Sequence, residues 1–370
     1  MVPATNVSKR ILSIDALRGF DMLFISGAGT FLALLEGKSN WGWVDAVAHQ
    51  MTHPAWHGFT FYDFIFPLFL FIAGVSLTFS IKSALGRGMS KSEIYRKVFL
   101  RMIILMLLGY LYKNAPIPFF EPSQIRFSSV LGRIGFAVFV TTLVYLNFKK
   151  KGRIIWIAGI LLAYYAMLYL IPVPGYGAGD LSFEGNLVGW IDRTFMPGRL
   201  IQGTYDELAI LTELPSMCLT MMGAFAGDII GSKRPAVERG KLLLGIGGVV
   251  LIMGLLWSLH FPINKHLWTS SFILLTGGMA FLALAMFYWI IDIWGYTKWA
   301  FFFKVIGMNS LLIYLAYRFI DFRHTAHLLF SGLYAPAAER WHEVIEALGA
   351  LALVWLFLYF MYRQRFFLKI

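Results

Sequence analysis

The chain has 370 residues, 58% of them hydrophobic and only 14% charged, with a formal net charge of +12. A soluble domain carries about 25% charged residues, so this composition is too apolar to cover a water-facing surface. Nor does the positive excess point to nucleic acid, because the basic residues fall in short clusters between apolar runs, the pattern of membrane topology.

A spanning helix needs about 20 mostly apolar residues. Such segments are predicted near 13–35, 61–81, 98–113, 128–147, 154–171, 212–231, 241–260, 269–292, 299–320 and 344–362. The fold class is therefore all-α, a polytopic membrane protein of about ten spans, with 1–370 forming a single transmembrane domain. The opening MVPATNVSKRILSIDALRG does not read as a signal peptide, since Asp15, Arg18 and Asp21 interrupt its first apolar run. The lone cysteine, Cys218, excludes an intramolecular disulfide and any multi-cysteine metal site.

Orientation follows from lysine and arginine. Lys9 and Arg10, the cluster from Lys82 to Lys97, Lys149 to Arg153, Lys233 to Arg239, and Arg363 to Lys369 all fall on one side if there are ten spans. Both termini are then expected to be cytoplasmic. Segments 36–60, 114–127, 172–211, 261–268 and 321–343 are expected to face outward, and they hold Trp41, Trp43, Trp56, Trp190, Trp268 and Trp341. Aromatic residues there serve as interfacial anchors or as faces on which sugar rings stack.

Ionisable groups inside a span are costly, so each is a candidate for function. In the first span Asp15, Arg18 and Asp21 share one helix face. They read either as an ion-pair network or as an arginine, near the cytoplasmic end, that receives an anionic ligand. His49, His53 and His57 are spaced by four, but Pro54 argues against a continuous helix and no carboxylate completes a ligand set, so no metal is expected. Asp63 stands just inside the second span, among aromatic residues. A carboxylate that fixes a histidine tautomer is a standard support for a general base, and the segment His53–Gly58 is the nearest donor in sequence; the alternative is a helix cap or tether. Arg133 in the fourth span, Asn309 in the ninth, and Asn264, Lys265 and Trp268 before the eighth are the other polar or aromatic candidates.

Taken together, SIDALRGFDM, HPAWHGFTFYDFIFPLFLFIAG, VLGRIG, ELPSMCLTMMGAFAG, PINKHLW and IGMNSLLIYL occur in an order that resembles the transmembrane acetyltransferase family of heparan-α-glucosaminide N-acetyltransferase. The resemblance covers nearly the whole chain and looks like a short bacterial homologue without the luminal domain. It implies acetyl transfer from cytosolic acetyl-CoA to the amine of a glucosamine-type sugar or glycan terminus on the far side of the membrane. In that family's pattern His53 is the catalytic base and Asp63 the aspartate that follows it. Trp56, Asn264, Lys265 and Trp268 match substrate-site positions, and Arg133 and Asn309, with Arg18, fall to the acetyl-CoA site. Ser26 stands where the lysosomal enzyme carries an asparagine, and Tyr317 and Arg318 replace a His-Glu pair, which bears on the acceptor more than on the reaction. The expected setting is the bacterial inner membrane, with lipids and these two substrates as partners, a homodimer left open, and no nucleic acid. An amino-sugar permease and an O-acyltransferase of a surface glycan are the rival readings.

Overall fold

A polypeptide in lipid must satisfy its backbone hydrogen bonds within itself, so apolar runs of this length form helices. The computed structural model describes residues 11–368 and is all-helical, with no strand among the described residues beyond two isolated bridges. In chain order the helices are α1 Leu12–Leu23, α2 Gly29–Ala33, α3 Gly42–His49, α4 Phe61–Gly86, α5 Lys91–Asn114, α6 Val130–Asn147, α7 Lys150–Leu170, α8 Leu187–Phe195, α9 Glu213–Ile230, α10 Ala236–Ser258, α11 Ser270–Tyr288, α12 Ala300–Gly307, α13 Ser310–Ala316, α14 Phe322–Tyr334 and α15 His342–Arg363. Lys9, Arg10 and Lys369, which the charge argument counts, lie outside the described residues.

Every predicted apolar segment is helical, but two of them are broken. The first divides into α1 and α2 at a kink where Gly27 has φ 113°, a conformation that favours glycine. The kink frees the Ser26 carbonyl, which accepts a hydrogen bond from the Tyr317 hydroxyl. The ninth divides into α12 and α13 at Asn309, whose Nδ2 donates to the Phe366 carbonyl at 3.0 Å. Six helices, namely α4, α6, α7, α10, α11 with its extension to Ile293, and α15, are long and apolar enough to cross a membrane. The other four segments fall short through breaks or through charge: α5 carries Lys91, Glu93, Arg96, Lys97, Arg101 and Lys113, and α9 carries Glu213 and Asp228.

The apolar stretches of α4 and α11 are each 67% buried, against 17% for α7 and 22% for α10 and α15. Central helices and a greasy periphery result, the arrangement expected when lipid is the outer solvent. Glycines set the closest contacts. A Cβ at Gly74 of α4 would lie 1.9 Å from the Thr220 carbonyl oxygen of α9, and one at Gly223 would lie 1.9 Å from the Phe71 carbonyl oxygen. Likewise Gly19 of α1 and Gly307 of α12 let those two backbones meet.

Ion pairs define the two ends of the bundle. At one end Asp228, near the close of α9, receives Lys82 Nζ at 2.8 Å, Arg153 Nη1 at 2.9 Å and the Tyr145 hydroxyl at 2.7 Å. These join the last turns of α4, α6 and α9 to the first turn of α7. At the other end Arg133, in the first turns of α6, pairs with Glu213 at the start of α9 at 3.0 Å. Its guanidinium also lies 4.5 Å from the ring of Trp268, just before α11.

Substitution Gly223→Ala is expected to destabilise the fold by about 1–3 kcal/mol through overpacking. Gly245→Ala, on α10 where an added Cβ meets nothing within 4 Å, should be neutral or slightly stabilising. Thermal unfolding of the detergent-solubilised variants checks the contrast.

Candidate functional site

The helix α4 starts where Thr60 leaves the preceding loop, and its first turn needs acceptors for free N–H groups. Asp63 supplies one: its Oδ2 accepts the Thr60 N–H at 2.9 Å. The other oxygen, Oδ1, faces His53 Nδ1 at 2.6 Å. Capping and tethering of the histidine are therefore two functions of one carboxylate, which is itself buried. Because an ionised carboxylate only accepts, the proton of the neutral imidazole is assigned to Nδ1, and Nε2 is left as the basic nitrogen. The His53 side chain keeps 39% of its surface exposed. The Tyr62 ring stacks on it, with centroids 5.2 Å apart, and Tyr62 packs in turn on Gly29 of α2, where a Cβ would come within 2.5 Å of the phenol.

The loop between α10 and α11 brings up a third group. Lys265 Nζ lies 3.0 Å from His53 Nε2, 3.3 Å from Nδ1 and 3.6 Å from Asp63 Oδ1. That loop is held rigidly. Asn264 Oδ1 accepts the Leu267 N–H at 2.9 Å, the Thr269 hydroxyl accepts the Asn264 N–H at 3.1 Å, and the Tyr164 hydroxyl donates to the Leu267 carbonyl at 2.5 Å. The Gly58 N–H donates to the Ile263 carbonyl at 2.9 Å, which joins the histidine loop to the lysine loop. Trp268 has φ 49°, a strained value for a bulky residue, and is clamped between Arg133 and the edges of Phe66 and Phe272.

The sequence candidates therefore fall into three groups. His53, Asp63 and Lys265 meet at one point. Trp56, Asn264 and Trp268 surround it without facing it openly. Trp56 has one ring face covered by His266, at 5.4 Å and 12°, and its Nε1 donates to the Leu181 carbonyl at 2.8 Å. The Asn264 amide nitrogen contacts His57 Nδ1 at 3.1 Å, and Trp268 is fully buried. Arg133 supports this end from beneath, paired with Glu213 and Thr212. Arg18 and Asn309 lie elsewhere: Arg18 meets Asp15 at 3.6 Å and the Ser76 hydroxyl, and Gly307, two residues before Asn309, packs on Asp15 and Gly19 to either side of Arg18. Among the described residues no group of histidines, cysteines and carboxylates is arranged to hold a metal ion.

A platform that the sequence did not announce lies behind the histidine loop. Tyr205 donates to or accepts from His266 Nδ1 at 2.8 Å, Arg126 pairs with Asp206 through contacts of 2.7 and 2.8 Å, and the Asp206 N–H donates to Asp192 Oδ2 at 3.0 Å. Burial lowers the pKa of His57, whose Nδ1 faces the Asn264 amide. Burial also lowers that of His266, outweighing the raising effects of the Glu207 charge and the Pro54 carbonyl.

A family profile described as a domain of unknown function, DUF5009, matches residues 10–191. Heparan-alpha-glucosaminide N-acetyltransferase of Mus musculus is 27% identical over 376 residues, covering 86% of this chain and 56% of that protein. The Homo sapiens protein of the same name is 25% identical over 421 residues, covering 98% and 60%. The chain is a relative of the heparan-alpha-glucosaminide N-acetyltransferases. It spans less than two thirds of the length of these relatives, and the aligned part includes the helices and loops that bring His53, Asp63 and Lys265 together.

Asp192 gives a pH test of the platform. Burial raises its pKa from 3.8 to about 7; the hydrogen bond from the Asp206 N–H opposes the shift and the Asp206 charge adds to it. A raised folded-state value means that the native state holds the proton more tightly than the unfolded chain. The resulting stability is complete below about pH 4 and is lost as pH rises through about 7. Asp192→Asn removes that dependence. Relative to the parent, its thermal midpoint should therefore be higher at about pH 8 than at about pH 5, and thermal melts at the two values check the sign.

Proposed function

We propose that the chain is an integral-membrane acetyltransferase that takes the acetyl group of cytosolic acetyl-CoA and places it on the amine of a glucosamine-type sugar or glycan terminus at the outer membrane face. The observation that carries this reading is the His53–Asp63 contact of 2.6 Å on a side chain that stays 39% exposed, at the bundle end away from the basic connections. The likeness to two N-acetyltransferases supports the reaction class. In this reading ten spans cross a bacterial inner membrane, both termini are cytosolic, and Lys149–Lys151 mark the cytosolic side.

His53 Nε2 removes the proton of the attacking amine, and Asp63 stabilises the imidazolium that forms. A base of this kind contributes about 10²- to 10⁴-fold. The same nitrogen would carry the acetyl group in a two-step route, which a burst of free CoA before acceptor is added would reveal. The anionic part of CoA is assigned to Arg18 with Arg101, whose charges interact, and to the nearby Asn309. Between that level and the Tyr62–Gly29 contact, the Asp21 carboxyl and the Ser26 hydroxyl are buried without hydrogen-bond partners among the described residues. An arm bearing amide groups would satisfy them, and the breaks at Gly27 and Asn309 suit such a passage, since non-helical backbone at depth is tolerated where it lines a cavity. Arg133 takes a supporting role under Trp268 in this reading: its Nε is on Glu213 and Nη2 on Thr212, while Nη1 is buried without a partner among the described residues. A permease would bind at midmembrane; the dyad at the bundle end favours transfer.

His53→Ala should cut acetyl transfer to glucosamine by at least about 10²-fold while acetyl-CoA still raises the thermal midpoint. Mass spectrometry of acetylated glucosamine reads the first effect, and near-normal turnover would refute the base. Asp63→Asn should fall between, with a lowered midpoint because it also removes charge from the start of α4. For orientation, cysteines placed at Lys151 and Asn40 in a Cys218→Ser background should react with an impermeant thiol reagent from opposite sides of sealed vesicles.

A further inference from the structure

The acetyl-transfer reading needs a donor for the negative charge that develops on the thioester oxygen, and the neighbours of His53 narrow the choice. Asn264 has its oxygen on the Leu267 N–H and its nitrogen on His57, which turns the amide toward that ring. The Asn309 amide nitrogen is on the Phe366 carbonyl, in the break between α12 and α13. The Ser26 hydroxyl is buried in the kink of the first segment, where the passage of the CoA arm is assigned above, three residues before the glycine that carries Tyr62.

Lys265 differs from all of these. Its nitrogen is almost equally far from the two ring nitrogens of His53, at 3.0 and 3.3 Å. Such a position is beside the ring and not in line with the Nε2 lone pair, so the base stays open to an amine. The nearest carboxylate oxygen, Asp63 Oδ1, is at 3.6 Å, beyond a normal hydrogen bond. An ammonium has three N–H donors, more than its contacts to His53 engage, which leaves donors for a reacting carbonyl. The side chain is 14% exposed, which keeps bulk water largely away and strengthens its field.

We propose that Lys265 is the catalytic oxyanion donor, its ammonium receiving the negative charge on the carbonyl oxygen of the acetyl thioester while His53 acts as base. This rests on the transferase reading above. The free amine forms the C–N bond, the carbonyl π pair moves to oxygen, and a Lys265 N–H meets it. His53 Nε2 takes the amine proton. The C–S bond then breaks with its electron pair going to sulfur, the carbonyl re-forms, and the imidazolium returns its proton to the thiolate. An amide and a free thiol result, with no further reactant consumed.

Removing one oxyanion donor costs about 10²- to 10³-fold in turnover. Lys265→Met should show a kcat loss of that size, with KM for acetyl-CoA and for glucosamine changed by less than about threefold and the thermal response to acetyl-CoA retained. Lys265→Cys in the Cys218→Ser background should be equally slow. Alkylation with 2-bromoethylamine, to the extent read from intact mass, builds an ammonium on a side chain of nearly lysine length and should restore at least tenfold. The cysteine variant carries the test by itself if Lys265→Met does not fold. A raised glucosamine KM at unchanged kcat would make Lys265 a substrate-binding residue and overturn the proposal. So would a kcat loss that full alkylation leaves in place. An unmodified protein that acetylates glucosamine, together with an equally active Lys265→Met, sinks this proposal alone. An unmodified protein that transfers no acetyl group at all sinks the transferase reading beneath it.

Discussion

One carboxylate organises the reactive end of this molecule. Asp63 lies in the first turn of α4, where free backbone N–H groups and the helix dipole both favour an anion. Its two oxygens divide the work: one closes the helix start through Thr60 and the other orients His53. The position of the imidazole is thereby referred to one of the central helices of the bundle. An ordinary loop histidine would wander, whereas this one is fixed on both sides, by Asp63 and by the Tyr62 ring.

The loops around it are made rigid by buried charge. Arg133 with Glu213 and Arg126 with Asp206 stabilise little in themselves, because taking such groups out of water costs about as much as their attraction returns. Their value is positional. Each cation has fixed partners on another segment, so the chain before α9 and the turn before α11 are held against the start of α6. Truncating one partner would leave an uncompensated charge, and for that reason these pairs behave as joints that either stay closed or fail together.

Most of the helical architecture was legible because the bilayer leaves few choices to an apolar run. The two breaks were not. SGAG and GMNS read as ordinary small or polar residues inside a span, and only the fold reveals that Gly27 takes a left-handed φ and that Asn309 holds the C-terminal tail. The His53–Asp63 contact could be anticipated, since ten residues and one loop separate the two. The third member could not be derived from spacing: Lys265 stands 212 positions from His53 and was a candidate as a polar residue before the eighth span, with nothing in the sequence to join it to His53. Arg133 shows the same limit of spacing. A lone arginine in a span invites a ligand, but its partner Glu213 is 80 residues away, and the sequence has no notation for that pairing. The platform joins Asp192 of the short α8 to Tyr205, Asp206 and His266 in irregular chain, where no periodicity marks which side chains converge.

The uneven distribution of charge among the helices bears on how the protein is made. Helices α4, α10 and α11 are apolar enough to leave a translocon for lipid unaided. Helices α1, α5 and α9 carry aspartate, glutamate, arginine or lysine along their length, at several kcal/mol for each group left unpaired in hydrocarbon. On the ten-span reading, α1 and α6 emerge from the ribosome before several of the segments that neutralise or enclose them: the residues that cover Arg133 of α6 lie on α9 and before α11, and the backbone that receives Gly19 of α1 lies on α12. Early segments would then wait at the membrane in a half-settled state until the C-terminal third arrives, so that insertion and folding of this chain form one continuous process.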